Sequence, residues 1–346
     1  MKYTMIEIDG AGGEGGGQIL RTSLALSMCT GKPFHIGNIR ANRKKPGLMR
    51  QHLTAVGAAR TICGAEVTGV EIDSKELTFV PGQVKPDEYR FSVGTAGSAT
   101  LVLQTILPPL LCAGAPSTLH LEGGTHNAWA PPSHFLDKAF FPVLVQMGAG
   151  IESELTTWGF YPAGGGRMRV SVTPAAGALG RLDLCERGAL VRAEVLAAVS
   201  RVPWEVADDE CRLITRGAAF PIDQCRAENV ESPGPGNVVM LWLEFERGTA
   251  FFTGFGELGV SRKTVAGQVC DAANRLYGAG VAVDEHLADQ LLIPMALAGG
   301  GCFTTGNPTP HTKTNIEIIR RFLDVEISCT EKARGVWRIE VSKQPS

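Results

Sequence analysis

MIEIDGAGGEGGGQILRTSLALSMCTGKPFHIGNIR, residues 5–40, decides the architecture. MIEIDG alternates apolar and polar side chains, as a half-buried strand does. A glycine turn follows, GGQILRTSLALSMCTG has apolar residues at helical spacing, and PFHIGNIR is strand-like again. The same order recurs in YRFSVGTAGSATLVLQTILPPLLCAGAPSTLHLEGG, residues 89–124. A third copy is expected to open with RMRVSVTP (167–174), break off, and resume with HLADQLLIPMALAGG (286–300) and CFTTG (302–306). Each copy carries a second helix: PGLMRQHLTAVGAARTI (46–62), PPSHFLDKAFFPVLVQMG (131–148) and TKTNIEIIRRFL (312–323). Strands that alternate with helices predict an α/β (α+β) fold. The expected plan is a large domain of three βαβαββ-like units, residues 1–183 and 281–346, with a smaller α/β domain inserted at 184–280. The helix starts of the three units would then surround a common centre.

Charge supports that division. From Gly15 to Ala65 there is no Asp or Glu, whereas eight cations occur: Arg21, Lys32, Arg40, Arg43, Lys44, Lys45, Arg50 and Arg60. Residues 184–280 reverse the balance, with ten Arg and Lys against thirteen Asp and Glu. A run of cations can be a solvated face, but this one is mostly arginine, interleaved with Asn42, Gln51 and His52. The planar guanidinium suits phosphate, so a polyanionic partner such as RNA, DNA or a nucleotide is expected. A net charge of −2 gives no global attraction to nucleic acid.

Composition excludes other classes. With 346 residues, 44% of them hydrophobic, and 42 dispersed glycines, the chain has enough material for a sizeable core and does not read as disordered. The longest apolar stretch, residues 101–115, contains Gln104, Pro108 and Pro109 and is too short to span a bilayer, so it reads as a buried helix. Glu7 and Asp9 interrupt the start before a secretory signal can form, and the expected location is the cytoplasm. The nine cysteines include no CxxC, and the seven histidines no HExxH or HxH, which removes the common zinc and thiol-redox readings.

The glycine turn formally contains GxGxxG, but after Glu14 the next acid is Glu66, so the dinucleotide reading fails. What survives is a helix start beside one carboxylate. Glu14 is either a favourable charge on a first turn or a ligand for a hard divalent ion that bridges phosphates. Neither a GxxxxGK[ST] loop nor a KxDG motif is present. The remaining candidate centre is His311, in NPTPHTKTN at the head of an amphipathic helix. A helix start disfavours a positive ring and favours an attached phosphate, which suits a nucleophilic imidazole, though a histidine there can equally be a capping residue. Gln104, Asp289 and Gln290 are polar groups on apolar helices, which points to a ligand-facing surface or to satisfied core hydrogen bonds.

Taken together, DGAGGEGGGQILR (9–21), IRANRKKPGLMRQHLTA (39–55), GTAGSATLVLQTILPPL (94–110), GGTHNAWAPP (123–132), GFYPAGGG (159–166), LADQLLIPMALAG (287–299) and His311 resemble the RNA 3'-terminal phosphate cyclases. The motifs cover nearly the whole predicted large domain, whereas the acidic segment matches mainly through GPGN (234–237). The resemblance implies ATP-dependent conversion of an RNA 3'-phosphate to a 2',3'-cyclic phosphodiester, through AMP on His311 and then an RNA-adenylate anhydride. It implies Mg²⁺ or Mn²⁺ on Glu14, and nucleotide contacts from Gln104, Pro131, His286, Leu287, Ala288, Asp289 and Gln290. Arg21, Arg40, Arg43 and Gln51 would hold phosphates or the RNA end. Two positions depart from the family pattern: His286 stands where a Tyr is common, and Trp158 where a basic residue usually precedes GFYPAGGG. No membrane and no obligatory protein partner are expected. The competing readings are a non-catalytic RNA-binding or ribosome-assembly relative and an enolpyruvyl-transferase-like enzyme, neither of which needs His311 as a nucleophile.

Overall fold

The computed structural model describes residues 4–13, 16–94 and 97–344. Three of its sheets share one plan. In the first, β1 (Ile6–Asp9) passes through α1 (Gly17–Thr30) to a parallel β2 (Phe34–Gly37). After α2 (Arg50–Cys63), strands β3 (Glu66–Thr68) and β4 (Leu77–Val80) close the sheet antiparallel, in the order β1-β2-β4-β3. The second runs β5 (Glu88–Ser92), α3 (Ala99–Leu111), β6 (Ser117–Gly123) and then α4 (Ser133–Phe135). A π turn (Leu136–Phe140) and α5 (Phe141–Gln146) follow, then β7 (Gly150–Thr157) and β8 (Gly166–Thr173), in the order β5-β6-β8-β7. The third begins at β9 (Leu182–Leu184).

The chain then builds a different sheet from β10 (Leu190–Ser200), α6 (Trp204–Gly217), β11 (Gln224–Asn229), β12 (Gly236–Phe245), β13 (Gly248–Phe255) and α7 (Arg262–Ala279). Its order is β11-β10-β12-β13. The third unit resumes with α8 (Glu285–Leu297), β14 (Gly300–Thr305), α9 (Pro310–Phe322), β15 (Val325–Ala333) and β16 (Val336–Lys343). In β9-β14-β16-β15 the first pair is parallel and the rest antiparallel, as in the other two units.

RMRVSVTP is therefore not the opening of the third unit. It forms β8, antiparallel to both β6 and β7, and finishes the second sheet. The true opening strand is three residues long, Leu182–Leu184, which is too short for alternation to register.

One core joins the three like sheets. α1 is buried along most of its length because α2, α3 and α9 pack around it. Phe34 of β2 stacks on Phe79 at 5.8 Å and meets Phe322 edge-on at 6.1 Å, which ties the first sheet to the far end of α9. Lys32 Nζ donates to the Phe322 carbonyl at 2.7 Å, a cation at the negative end of that helix. The second core, including Val195, Val199, Leu241, Val265 and Val269, lies between the fourth sheet and helices α6 and α7. Among the described residues no helix is long and apolar enough to cross a membrane.

Candidate active site

The first helices of the three like units are α1, α3 and α8, and polar side chains from all three meet, together with the first turns of α9. Thr309 caps α9 by accepting from the Thr312 amide at 3.1 Å, and Pro310 sets the first helical residue. His311 follows directly, with its side chain exposed.

Two hydrogen-bonded chains converge beside it. Gln18 Nε2 donates to Asp289 Oδ1 at 2.7 Å, while Gln18 Oε1 lies 2.7 Å from His311 Nδ1. Asn315 Nδ2 also donates to Asp289 Oδ1, at 3.0 Å, and Asn315 Oδ1 accepts from Thr22 Oγ1 at 2.7 Å. With its amide NH₂ committed to a carboxylate, Gln18 can offer His311 only a carbonyl. A carbonyl accepts, so in the neutral imidazole Nδ1 carries the proton and Nε2 keeps the lone pair. In the second chain Arg21 Nε donates to Gln104 Oε1 at 3.2 Å, and Gln104 Nε2 donates to Gln290 Oε1 at 2.8 Å. Burial pushes the Asp289 carboxyl above its ordinary range; His311, the hydrogen bonds from Gln18 and Asn315, and Arg21 oppose that shift.

The basic loop folds onto the glycine turn. Asn38 Nδ2 donates to Asp9 Oδ1 at 3.2 Å, and Asn42 Nδ2 donates to the Ala11 carbonyl at 3.1 Å. Arg40 is held at φ +54° and donates from Nη1 to the Gly47 carbonyl at 2.9 Å. Burial and the neighbouring Arg43 charge lower its pKa, so these two arginines share one neighbourhood. His52 is buried next to them. It accepts the Met49 amide on Nδ1 at 3.0 Å, and burial, followed by Arg21 and Arg40, pushes its pKa down to about 3. A Cβ on Gly17 would strike both His52 Nε2 and Arg21 Nη1, so a larger residue there would displace the two side chains. Gln51 is half-buried on the first turn of α2.

The other sequence candidates have different surroundings. Leu287 and Ala288 are 1% and 2% exposed and belong to the core, so their side chains do not face the site. His286 is exposed, and its backbone amide is held by the Asp284 cap at 2.9 Å. Pro131 is half-buried in the loop between β6 and α4. Glu14 lies outside the described residues. Trp158 stacks on His126 at 4.1 Å and 20°, covering a pair in which Nε2 of the buried His126 and Nδ1 of the half-buried His134 are 2.9 Å apart. Sequence reasoning missed Gln18, Thr22 and Asn315, and named His52 only as part of the basic run. The cost of a polar group on an apolar helix, which singled out Gln104, applies equally to Gln18 and Thr22.

Among the described residues one group of three metal-ligating side chains clusters, Asp183, Cys185 and Cys302. The two sulfurs are 2.9 Å apart. Thiols are soft donors, unsuited to Mg²⁺ or Mn²⁺, so this group is not the ion site that the resemblance implies.

What the cluster provides is an exposed imidazole bonded through Nδ1, flanked by amide and carboxylate groups and by arginines, donors and acceptors of the kind that can hold polar and anionic groups. The chain matches the family model for RNA 3'-terminal phosphate cyclase over residues 12–329. It is 51% identical over 338 residues to a protein of Ralstonia nicotianae named RNA 3'-terminal phosphate cyclase, covering 97% of each chain. Proteins of the same name from Koribacter versatilis and Salmonella typhimurium are 49% and 47% identical, covering 95% and 96% of this chain and 92% and 97% of theirs. With the family model and these relatives spanning both the like sheets and the acidic segment, the chain belongs to the RNA 3'-terminal phosphate cyclase family.

Proposed function

We propose that this protein uses ATP to convert the 3'-phosphate of an RNA end into a 2',3'-cyclic phosphodiester in the cytoplasm. The observation that carries the reading is the relay from Asp289 through Gln18 to His311, which in the neutral form of an exposed ring leaves the lone pair on Nε2. In the first step the Nε2 lone pair forms a bond to the α-phosphorus as the bond to pyrophosphate breaks. Gln18 keeps the proton on Nδ1, and the positive end of α9 stabilises the phosphate that the ring acquires. An oxygen of the RNA 3'-phosphate then displaces His311, giving an anhydride with AMP. The neighbouring 2'-hydroxyl attacks the terminal phosphorus, loses its proton and expels AMP. A phosphate monoester lacks a good leaving group, and the anhydride supplies one.

Gln104, Asp289 and Gln290 are assigned to the nucleoside, with His286 and Pro131 at the base. Arg21, Arg40, Arg43 and Gln51 are assigned to the phosphates and the RNA end. A Mg²⁺ or Mn²⁺ ion held by the hard carboxylate of Glu14 would neutralise phosphate charge. We further propose that residues 184–280 form an inserted domain, a reading supported by the separate core of the fourth sheet.

The test is incubation with α-labelled ATP and a divalent ion. The expected product is protein-bound AMP that survives alkali and is lost in acid, as a phosphoramidate should be. RNA ending in 3'-phosphate should then be cyclised, and RNA ending in 3'-OH left unchanged. Labelling of the His311→Ala protein would overturn the assignment, and absence of label on the unaltered protein would favour the non-catalytic alternative.

A further inference from the structure

A groove of about 1850 Å³ opens beside α2, α3 and α7, between the like sheets and the fourth sheet. Two aromatic rings stand in it: Trp129 is 97% exposed and Tyr161 is 74% exposed. Trp129 is also held at φ +70°, a backbone conformation that bulky side chains avoid, so the loop presents this ring to solvent against its own preference. Leu258, fully exposed, faces the groove from the fourth-sheet side. Exposed rings gathered in one concave surface mark a binding face.

The surroundings favour an anion with flat apolar groups. Gln51, Ser98 and Ser261 line the groove at the starts of α2, α3 and α7, and none of these helices has an acidic residue in its first turn. Three positive helix ends thus converge on one groove. Lys45 and Arg50 add cations, as does Arg262, which is paired with Asp209 at 3.0 Å, against the acids Asp73 and Glu257. The groove meets the candidate active site at Gln51, which lines it. Gln51 precedes His52, whose ring reaches Gly17 and Arg21, and Leu101 lines the groove one turn before Gln104.

We propose that this groove holds the single-stranded RNA immediately upstream of the reactive end, with bases stacked on Trp129 and Tyr161 and phosphates on Lys45, Arg50 and the helix starts. The proposal rests on the cyclase reading above. Bases of any identity can stack on an aromatic face, so the groove would select a single strand rather than a sequence.

The test uses 5'-fluorescein oligoribonucleotides ending in 3'-phosphate, two to ten nucleotides long, with affinity measured by anisotropy at two salt concentrations. Affinity should rise with length until the groove is filled and should fall with salt. The double variant Trp129→Ala and Tyr161→Ala should lose the gain from length by roughly tenfold per ring. Because both side chains are exposed, thermal melting should show the variant folded. In the unaltered protein, 5-iodouridine two or three positions from the end should photo-crosslink to the peptide holding Trp129 or Tyr161. Affinity independent of length, or a length dependence undiminished in the variant, would overturn the groove while cyclisation stood. A groove that instead captures an apolar peptide and ignores RNA would overturn it as well. Failure of the unaltered protein to label itself or to cyclise any 3'-phosphorylated RNA strikes the cyclase reading instead.

Discussion

The second helix of each like unit starts with a histidine, and the three have very different surroundings. His311 is the second residue of α9, His134 the second of α4 and His52 the third of α2. His311 is exposed and bonded through Nδ1 to Gln18. His52 is buried, spends its Nδ1 lone pair on the Met49 amide, and has its pKa pushed down to about 3. His134 is bonded to His126, lies under Trp158, and is pushed by burial to about 4. Repetition of the fold supplied three similar helix starts. Of the three, the one bonded to Gln18, itself bonded to Asp289, with its ring open to solvent suits the nucleophilic role proposed above.

The largest effect should come from His311. Replacing it with Asn should reduce self-labelling by on the order of 10³-fold or more, whereas His52→Ala should still place the label on His311 with the same acid lability. Label appearing on His52 or His134 would break the comparison. Removing the positioning residue comes next: Gln18→Leu should slow labelling roughly 10- to 100-fold. Its diagnostic readout is the ¹⁵N shifts of the His311 ring, recorded at a pH high enough for the ring to be neutral, which should report the Nδ1–H tautomer in the unaltered protein and a mixture of tautomers in the variant. Unchanged shifts would mean that Gln18 does not set the proton. His52→Ala should cost about 1–3 kcal/mol in chemical denaturation, because it leaves the buried Met49 amide without its acceptor. A loss well below 1 kcal/mol would mean that water replaces the ring.

These residues also separate what was legible in the sequence from what was not. The opening strand-helix-strand-helix order of the first two units could be read directly, since strands of four or more residues and helices of thirteen or more leave a periodic trace. The short β9 left none, so β8 was assigned to the wrong unit. His311, Gln104, Asp289 and Gln290 could be found from local chemistry, and the structure places Gln104 and Gln290 in hydrogen-bonding contact across 186 residues of chain. The link between Gln18 and His311 spans 293 residues and leaves no local pattern. Nor does one sequence tell an exposed histidine at a helix start from a buried one, because burial is decided by neighbours that only the fold brings together.

The smallest effect sharpens the comparison from the side of stability. In the unfolded chain His52 and His134 have pKa values near 6.5, roughly the ordinary value, whereas in the folded protein they stand at about 3 and about 4. Above pH 6.5 both states are neutral and the stabilising contribution is complete. As pH falls below 6.5 the unfolded chain takes up protons that the folded chain refuses, so each histidine removes up to about 1.4 kcal/mol of stability per pH unit. Glu210, in the fourth sheet, works the other way. Burial raises it to about 7, so its contribution is complete below about 4.5 and is lost as pH rises through 7. Between pH 4.5 and 6.5 the two regions therefore pull in opposite directions. His52→Gln should flatten the acid-side loss of unfolding free energy by about 1.4 kcal/mol per pH unit near pH 5, while Glu210→Gln should steepen it. If neither variant alters the slope, the burial that sets His52 apart from His311 does not hold in solution, and the contrast among the three helix starts fails with it.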